Sequence, residues 1–452
     1  MTIDELEPSA TALFAAQPFQ KVDWFCFALT TLVTLTVYLL TLTPEVTLGY
    51  SGIFSAGAMY SSPSMPPGHP LWAIYGWCFT KLLPFSNIAW RLSAASATAG
   101  ALACGLLALT VSSIGFLVAQ EVPSLKAFSP RQQATCRLIC GTVAGLGLGF
   151  DAGFWPKSVL PDTWPLSMCL FAFTICALSR WFFSSQRRHY LYLAVFAHGL
   201  TLSESQAFFP ATFAFPFLVA LGNRKLGQQM FLGVTLCLFG VLALKGPLQT
   251  LGWNMGTGSR NLIIGAALIT TFSWAGSWFV TRSFFGEWKA AAVCAALLVA
   301  GISFYFLLPV FSMTTPPINW GYPRTVEGFF HLVSRGQWEP LTPTGNFYRL
   351  LLEWKMYWSF VAADLGLYLV PAAIPFVFLK NTPAVLRRWL MGCLVFWFLT
   401  TLLMLVALNL PDYSDQLVRP FFAPTHLVLL LLAGCGLMLF AATMAKPISA
   451  KS

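Results

Sequence analysis

Charge is scarce in this chain. Asp, Glu, Lys and Arg together make up 9 % of its 452 residues, whereas a soluble globular domain carries about 25 %. With 57 % hydrophobic residues and a mean hydropathy of +0.70, this shortage excludes a soluble fold and predicts an all-α integral membrane protein. Acids are the rarer sign, 16 against 26 basic residues, for a net charge of +10. The basic residues fall singly or in pairs beside apolar runs, where lipid head groups and the positive-inside bias account for them. No nucleic-acid partner is expected. The first 20 residues hold Asp4, Glu5 and Glu7 and no Lys or Arg, the reverse of a secretory leader, so the first apolar run is expected to persist as an anchor.

Ligand-type residues are equally thin. Five histidines are scattered, and eleven cysteines lie mostly inside apolar runs without zinc or disulfide spacing. Cys136 and Cys140 share a helix face and read as packing residues. No metal site is expected. There is no Gly-rich phosphate loop; Gly145, Gly147 and Gly149 lie inside an apolar run, which points to close helix packing. The absence of any Asn-x-Ser/Thr site leans toward a bacterial inner membrane.

What is present is a series of apolar runs. A hydrocarbon core of roughly 30 Å asks for about 20 apolar residues per helix, and runs near that length number about twelve. They lie at about 22–42, 91–118, 134–153, 163–183, 190–207, 209–222, 228–245, 261–281, 289–310, 361–379, 388–408 and 421–444. Between the fifth and sixth, Glu204 to Pro210 predicts a tight membrane-embedded turn, with Pro210 and Pro216 marking a broken helix. The pairs Arg187–Arg188, Arg224–Lys225 and Arg387–Arg388 then share one side with both termini, which the positive-inside bias makes cytoplasmic.

Two long segments remain on the other side: a first outside loop, residues 43–90, and a second, residues 312–360. Residues 69–84 carry Lys81 and span only roughly 24 Å as a helix, so they predict a juxtamembrane helix on the surface. In the second loop, EGFFHLVSRGQW has the spacing of an amphipathic interfacial helix. Trp72, Trp77 and Trp320 fit an interfacial aromatic belt. The chain reads as one membrane domain, residues 1–452, with no separate soluble domain.

The order TLTPEVTLGYSGIFSAGA, PPGHPL, NIAWRLSAASATAGALA, FWPKSVLPDTWPL, GLTLSESQ, PPINWGYPRTVEGFFHLVSRGQW and RPFFAPTHL resembles the protein O-mannosyltransferase-like membrane family. That family belongs to the GT-C glycosyltransferases. The resemblance implies a polytopic GT-C-like helical bundle that moves a sugar from a polyprenyl-phosphate donor to an acceptor hydroxyl on the outer face. It implies a carboxylate in the first loop to take the acceptor proton and cations to hold the donor phosphate. The lipid-linked sugar would be a co-substrate, and no cofactor is implied. The acceptor would be a protein, a glycan or a lipid.

One departure stands out. The family's first loop reads Trp-Asp-Ser-Gly-Glu-Phe, and the aligned residues here are Gly49, Tyr50, Ser51, Gly52, Ile53 and Phe54. Tyr50 and Ile53 replace both carboxylates. A tyrosine with a reference pKa near 10 is a poor base at neutral pH, and isoleucine cannot titrate. Three other acids become the catalytic candidates. Glu45 is the loop's remaining acid, or a solvated carboxylate. Asp162 aligns with the acid of the family's Glu-Val-Tyr motif, or caps a helix beside Lys157. Glu204 sits at the embedded turn, where a carboxylate is costly, or pairs with a basic side chain. Substrate-binding candidates are Tyr50, Ser51, His69, Arg91, Asn319, Trp320, Arg335 and Gln337, with Arg324 and Arg419 as further phosphate partners. The first functional reading is a membrane glycosyltransferase. The alternative is a catalytically degenerate relative that binds a lipid-linked sugar or a partner subunit as a scaffold. A transporter is third.

Overall fold

A computed structural model describes residues 19–251, 257–336, 343–377, 382–408 and 418–449. The described residues are mostly helical, with no strand among them. Among the described residues, nine helices are long and apolar enough to cross a membrane: Lys21–Leu40, Ile88–Glu121, Trp164–Phe183, Arg224–Ala243, Gly258–Thr281, Trp288–Met313, Phe347–Val377, Ala384–Ala407 and Arg419–Ala442. The chain is an integral membrane protein. Helices also occupy the other three expected positions, Pro130–Gly149, Arg188–Glu204 and Phe209–Gly222. Two are shorter than a full crossing and the first is less apolar, which is why length and hydropathy alone separate them from the nine.

Helix starts follow from local chemistry. Ser129 and Gln132 form a reciprocal capping box ahead of Pro130–Gly149, and the Asn87 side chain accepts from Trp90 N ahead of Ile88–Glu121. The embedded turn falls where the prolines place it. The helix ends at Glu204, one turn of 3-10 helix covers Gln206–Phe208, and Phe209–Gly222 restarts with Pro210 in its first turn and Pro216 inside. The helix Phe347–Val377 extends beyond the expected run and is kinked at Leu365, where the backbone leaves the helical region.

Layering follows side-chain size. The hydrophobic windows of Ile88–Glu121 and Arg419–Ala442 are each 83 % buried, against 17 % for Gly258–Thr281 and 22 % for Trp288–Met313. The first of these is rich in Ala, Ser and Gly, which lets neighbouring backbones come close. Gly145 shows how close: a Cβ there would lie 2.6 Å from Cys104 O and 2.7 Å from Thr30 Cγ2. One correction concerns the aromatic belt. Trp77 and Trp320 are 41 % and 37 % exposed, but Trp72 is fully buried and donates to Phe54 O at 3.0 Å.

The loops gather at one end of the bundle. Thr43 N donates to Val159 O at 2.9 Å, and Trp320 N to Pro63 O at 3.2 Å. Gln206 Nε2 donates to Val333 O at 2.7 Å. At the opposite end Arg188 pairs with Glu287 at 2.9 Å, and Arg137 with buried Asp23 at 2.6 Å. Replacing Gly145 with Ala should push Pro130–Gly149 away from the Lys21–Leu40 and Ile88–Glu121 helices, costing about 1–3 kcal/mol as overpacking does. Thermal unfolding in detergent checks this, and an unchanged transition would refute the close packing.

Candidate active site

The first loop turns at Met65-Pro66-Pro67-Gly68-His69-Pro70. Gly68 has φ +108°, and a Cβ on it would lie 2.6 Å from Leu308 Cδ1 and 3.2 Å from Leu332 Cδ2. Glycine is needed there both for its backbone and for its lack of bulk. Leu308, Leu332 and Tyr305 form a small buried cluster, with Phe306 stacked on Phe329 at 5.6 Å. The amphipathic helix of the second loop, Val326–Val333, therefore packs beside the first loop's turn. Strain collects here too. Six of the seven described non-glycine residues with positive φ, including His69 at 49° and Arg335 at 59°, lie in the two loops, as is common where a backbone is shaped for a ligand.

Glu204 joins the embedded turn to the first loop. Its Oε2 accepts from Leu71 N at 3.0 Å and Trp72 N at 3.1 Å, the free donors at the start of Pro70–Leu82. A carboxylate is favoured there by both the unpaired N–H groups and the helix dipole. Its Oε1 lies 3.4 Å from His69 Nδ1, with both side chains buried. The bulk of the imidazole packs edge-on against Phe54 at 5.3 Å, and no described residue bonds its Nε2.

Arg335 completes the arrangement from the second loop. No described carboxylate pairs with it, and burial pulls its guanidinium below the usual arginine range while Tyr305 and Tyr50 support the charge. Tyr305 donates to Leu202 O at 3.0 Å and stands within electrostatic reach of both Glu204 and Arg335. Tyr50, 42 % exposed, precedes the helix Ser51–Met59. The structure thus brings Tyr50, His69, Glu204 and Arg335 to one region.

Other predicted residues have local duties. Asp162 is buried; Oδ1 accepts from Trp164 N at 3.0 Å and Oδ2 pairs with Lys157 at 3.2 Å. Ser96 brackets its backbone, accepting from Asp162 N and donating to Asp162 O, both at 3.1 Å. Glu45 is exposed. Ser51 is buried and donates to Thr47 O at 2.6 Å. Arg91 donates to the carbonyls of Phe85, Thr80 and Ser86 at 2.8–3.0 Å, closing the turn after Pro70–Leu82. Asn319 is held by Ser312, its Oδ1 accepting at 2.8 Å. Trp320 is tied through its backbone to Pro63. Arg324 lies over the Tyr322 ring, and Arg419 pairs with Asp364 at 3.0 Å. Gln337 lies outside the described residues.

An all-α bundle of long apolar helices, with two loops meeting over buried acids, is the build of a polytopic membrane protein. Residues 51–227 match a family model, the protein O-mannosyl-transferase TMEM260 N-terminal domain. Over that segment the resemblance read from the sequence is shown, and GT-C membership is consistent with it. The segment takes in Ser51, His69, Arg91, Asp162 and Glu204 and ends before the second loop. Comparison with curated proteins and with solved structures gives no match.

Removing the Glu204 side chain with Ala leaves the Leu71 and Trp72 N–H donors without a partner. A loss of about 3–5 kcal/mol is expected, as for a broken buried pair, while Glu204→Gln keeps an acceptor and should lose less. Equal thermal stability for both variants and the parent would remove Glu204 from the fold's supports.

Proposed function

We propose that the chain is a membrane glycosyltransferase that moves a sugar from a polyprenyl-phosphate donor to an acceptor hydroxyl at the outer face of the membrane. The matched family is named for protein O-mannosyl transfer, which supports the glycosyltransferase class. The observation that carries the finer reading is Arg335, half-buried, unpaired with any described carboxylate and within electrostatic reach of Tyr50 and Tyr305. A cation so placed suits a phosphate, since arginine's planar fork matches its oxygens and stays charged.

With Tyr50 and Ile53 in place of the family's acids, His69 is the group best placed to take the proton. Glu204 Oε1 faces its Nδ1 at 3.4 Å without a hydrogen bond, and Nε2 is the nitrogen left for the acceptor. In this reaction the acceptor oxygen bonds to the sugar's anomeric carbon and its proton passes to His69. The carbon–oxygen bond to phosphate breaks with its electron pair on the departing polyprenyl phosphate, whose charge Arg335 offsets. Asp162 positions the neighbouring loop through Lys157 and the start of Trp164–Phe183.

Purified protein with a radiolabelled polyprenyl-phosphate mannose and a mixed acceptor extract tests this. His69→Asn should lower transfer roughly 10²–10⁴-fold, the usual worth of a positioned base, and Arg335→Ala should also lower it. Transfer unchanged in both folded variants would overturn the assignment. Tyr50→Asp with Ile53→Glu should raise transfer by restoring the family's acids.

A second reading is supported by the engagement of Asp162 with Lys157 and of Glu204 with a helix start, which leaves no described buried acid free beside Tyr50. On that reading the protein binds a lipid-linked sugar or a partner subunit without turnover. Binding of the labelled donor without transfer by the unaltered protein would favour it.

The orientation proposed, with the loops outside and both termini cytoplasmic in a bacterial inner membrane, rests on the Arg pairs at the opposite end. An impermeant thiol reagent should label Glu45→Cys in intact spheroplasts above the parent background; labelling only after lysis would invert the topology.

A further inference from the structure

A second polar cluster lies at the loop end, outside the region built by His69 and Glu204. Asp151 follows the helix Pro130–Gly149, Asp364 stands one residue before the kink at Leu365, and His426 is in the first turn of Ala423–Ser449. One ligand atom from each of the three lies within 4.8 Å of the others. All three side chains are sealed from solvent, at 0 %, 1 % and 1 % exposure.

Part of the cluster is satisfied. Asp151 Oδ1 accepts from Gly153 N at 2.9 Å and Phe154 N at 3.0 Å, and Oδ2 meets His426 Nδ1 at 2.6 Å. Asp364 Oδ1 accepts from Arg419 Nη1 at 3.0 Å. Part is not. His426 Nε2 and Asp364 Oδ2 are buried with no hydrogen-bond partner. Leaving such groups unmade costs about 1–3 kcal/mol each, and more when charged. Both orphaned atoms belong to side chains of one buried cluster, and a partner for each is what that cluster lacks.

The donor chemistry selects the occupant. With Nδ1 donating to Asp151, Nε2 carries the lone pair, the form in which an imidazole ligates a metal, and a carboxylate behind the ring is the usual second partner. Carboxylate oxygens beside an imidazole suit first-row divalent ions. The two carboxylates carry two negative charges, and Arg419 offsets only one of them. We propose that Asp151, Asp364 and His426 form a binding site for one first-row divalent cation, Zn²⁺ or Mn²⁺. The His426 imidazole and the free Oδ2 of Asp364 are its anchoring donors. The three residues stand far apart in sequence, so no spacing pattern announces the site. Bound there, the cation ties the end of Pro130–Gly149 to the kink of Phe347–Val377 and the start of the last helix. The site does not depend on the glycosyltransferase reading.

The test uses the full chain in detergent, purified without a polyhistidine tag, stripped with chelator and titrated with Zn²⁺ or Mn²⁺. Close to one ion per chain should remain after desalting, the thermal transition should rise on addition, and binding should weaken at least tenfold in His426→Gln and in Asp364→Asn. Retention well below one ion per chain, or equal binding by folded variants, overturns the proposal in favour of a bridging water. Should the variants fail to fold, pulsed electron paramagnetic resonance of Mn²⁺ on the unaltered protein decides. Nitrogen coupling from a ligated imidazole is expected, and its absence rejects the site.

Discussion

The arrangement at the loop end depends on one carboxylate placed where a helix begins. Glu204 closes the helix Arg188–Glu204 and at the same time satisfies the first free amides of Pro70–Leu82. A buried acid is tolerable only when its oxygens are met by donors, and these two amides meet one of them at the positive end of a helix. The same contact anchors the strained Gly68–His69 turn, on which Leu308 and Leu332 rest, and so fixes the second loop as well. Trp320 N to Pro63 O and Gln206 to Val333 O hold the two loops in register beside it.

Much of the architecture is written in composition. Among the described residues a helix occupies each of the twelve apolar runs, nine of them long and apolar enough to cross, because an apolar stretch in lipid has no alternative that satisfies its backbone. The turn at Glu204–Pro210 was legible for the same reason, since proline marks where a helix cannot continue. Less legible were the exact lengths. Phe347–Val377 runs well past its apolar portion because its first turns pack on protein, with Trp354 against Trp397 and Phe398, and hydropathy does not register that. Trp72 misled for a related reason: an indole suits a water interface, but a carbonyl in the fold, Phe54 O, serves its N–H equally well.

The site was readable only in part. Aligned motifs marked Asp162, Glu204 and Arg335 as notable residues, yet could not say that Asp162 and Glu204 would each be engaged by a helix start. Nor did motif or spacing reveal that His69 sits against Glu204, or that Asp151 and Asp364 face His426. Those pairings join residues separated by more than a hundred positions in most cases, and they come about only when helices pack. Single residues carry no local trace of such meetings.

The uneven burial of the helices bears on how this chain is free to drift. The small-residue stripe of Ile88–Glu121 has backbone within touching distance at Gly145, so lineages gain almost nothing and risk the whole bundle by enlarging side chains there. On Gly258–Thr281, where most of the surface meets acyl chains, one apolar residue serves nearly as well as another. Divergence among descendants should therefore pool on the outer helices, while the middle of the molecule keeps a narrow, small-bodied alphabet.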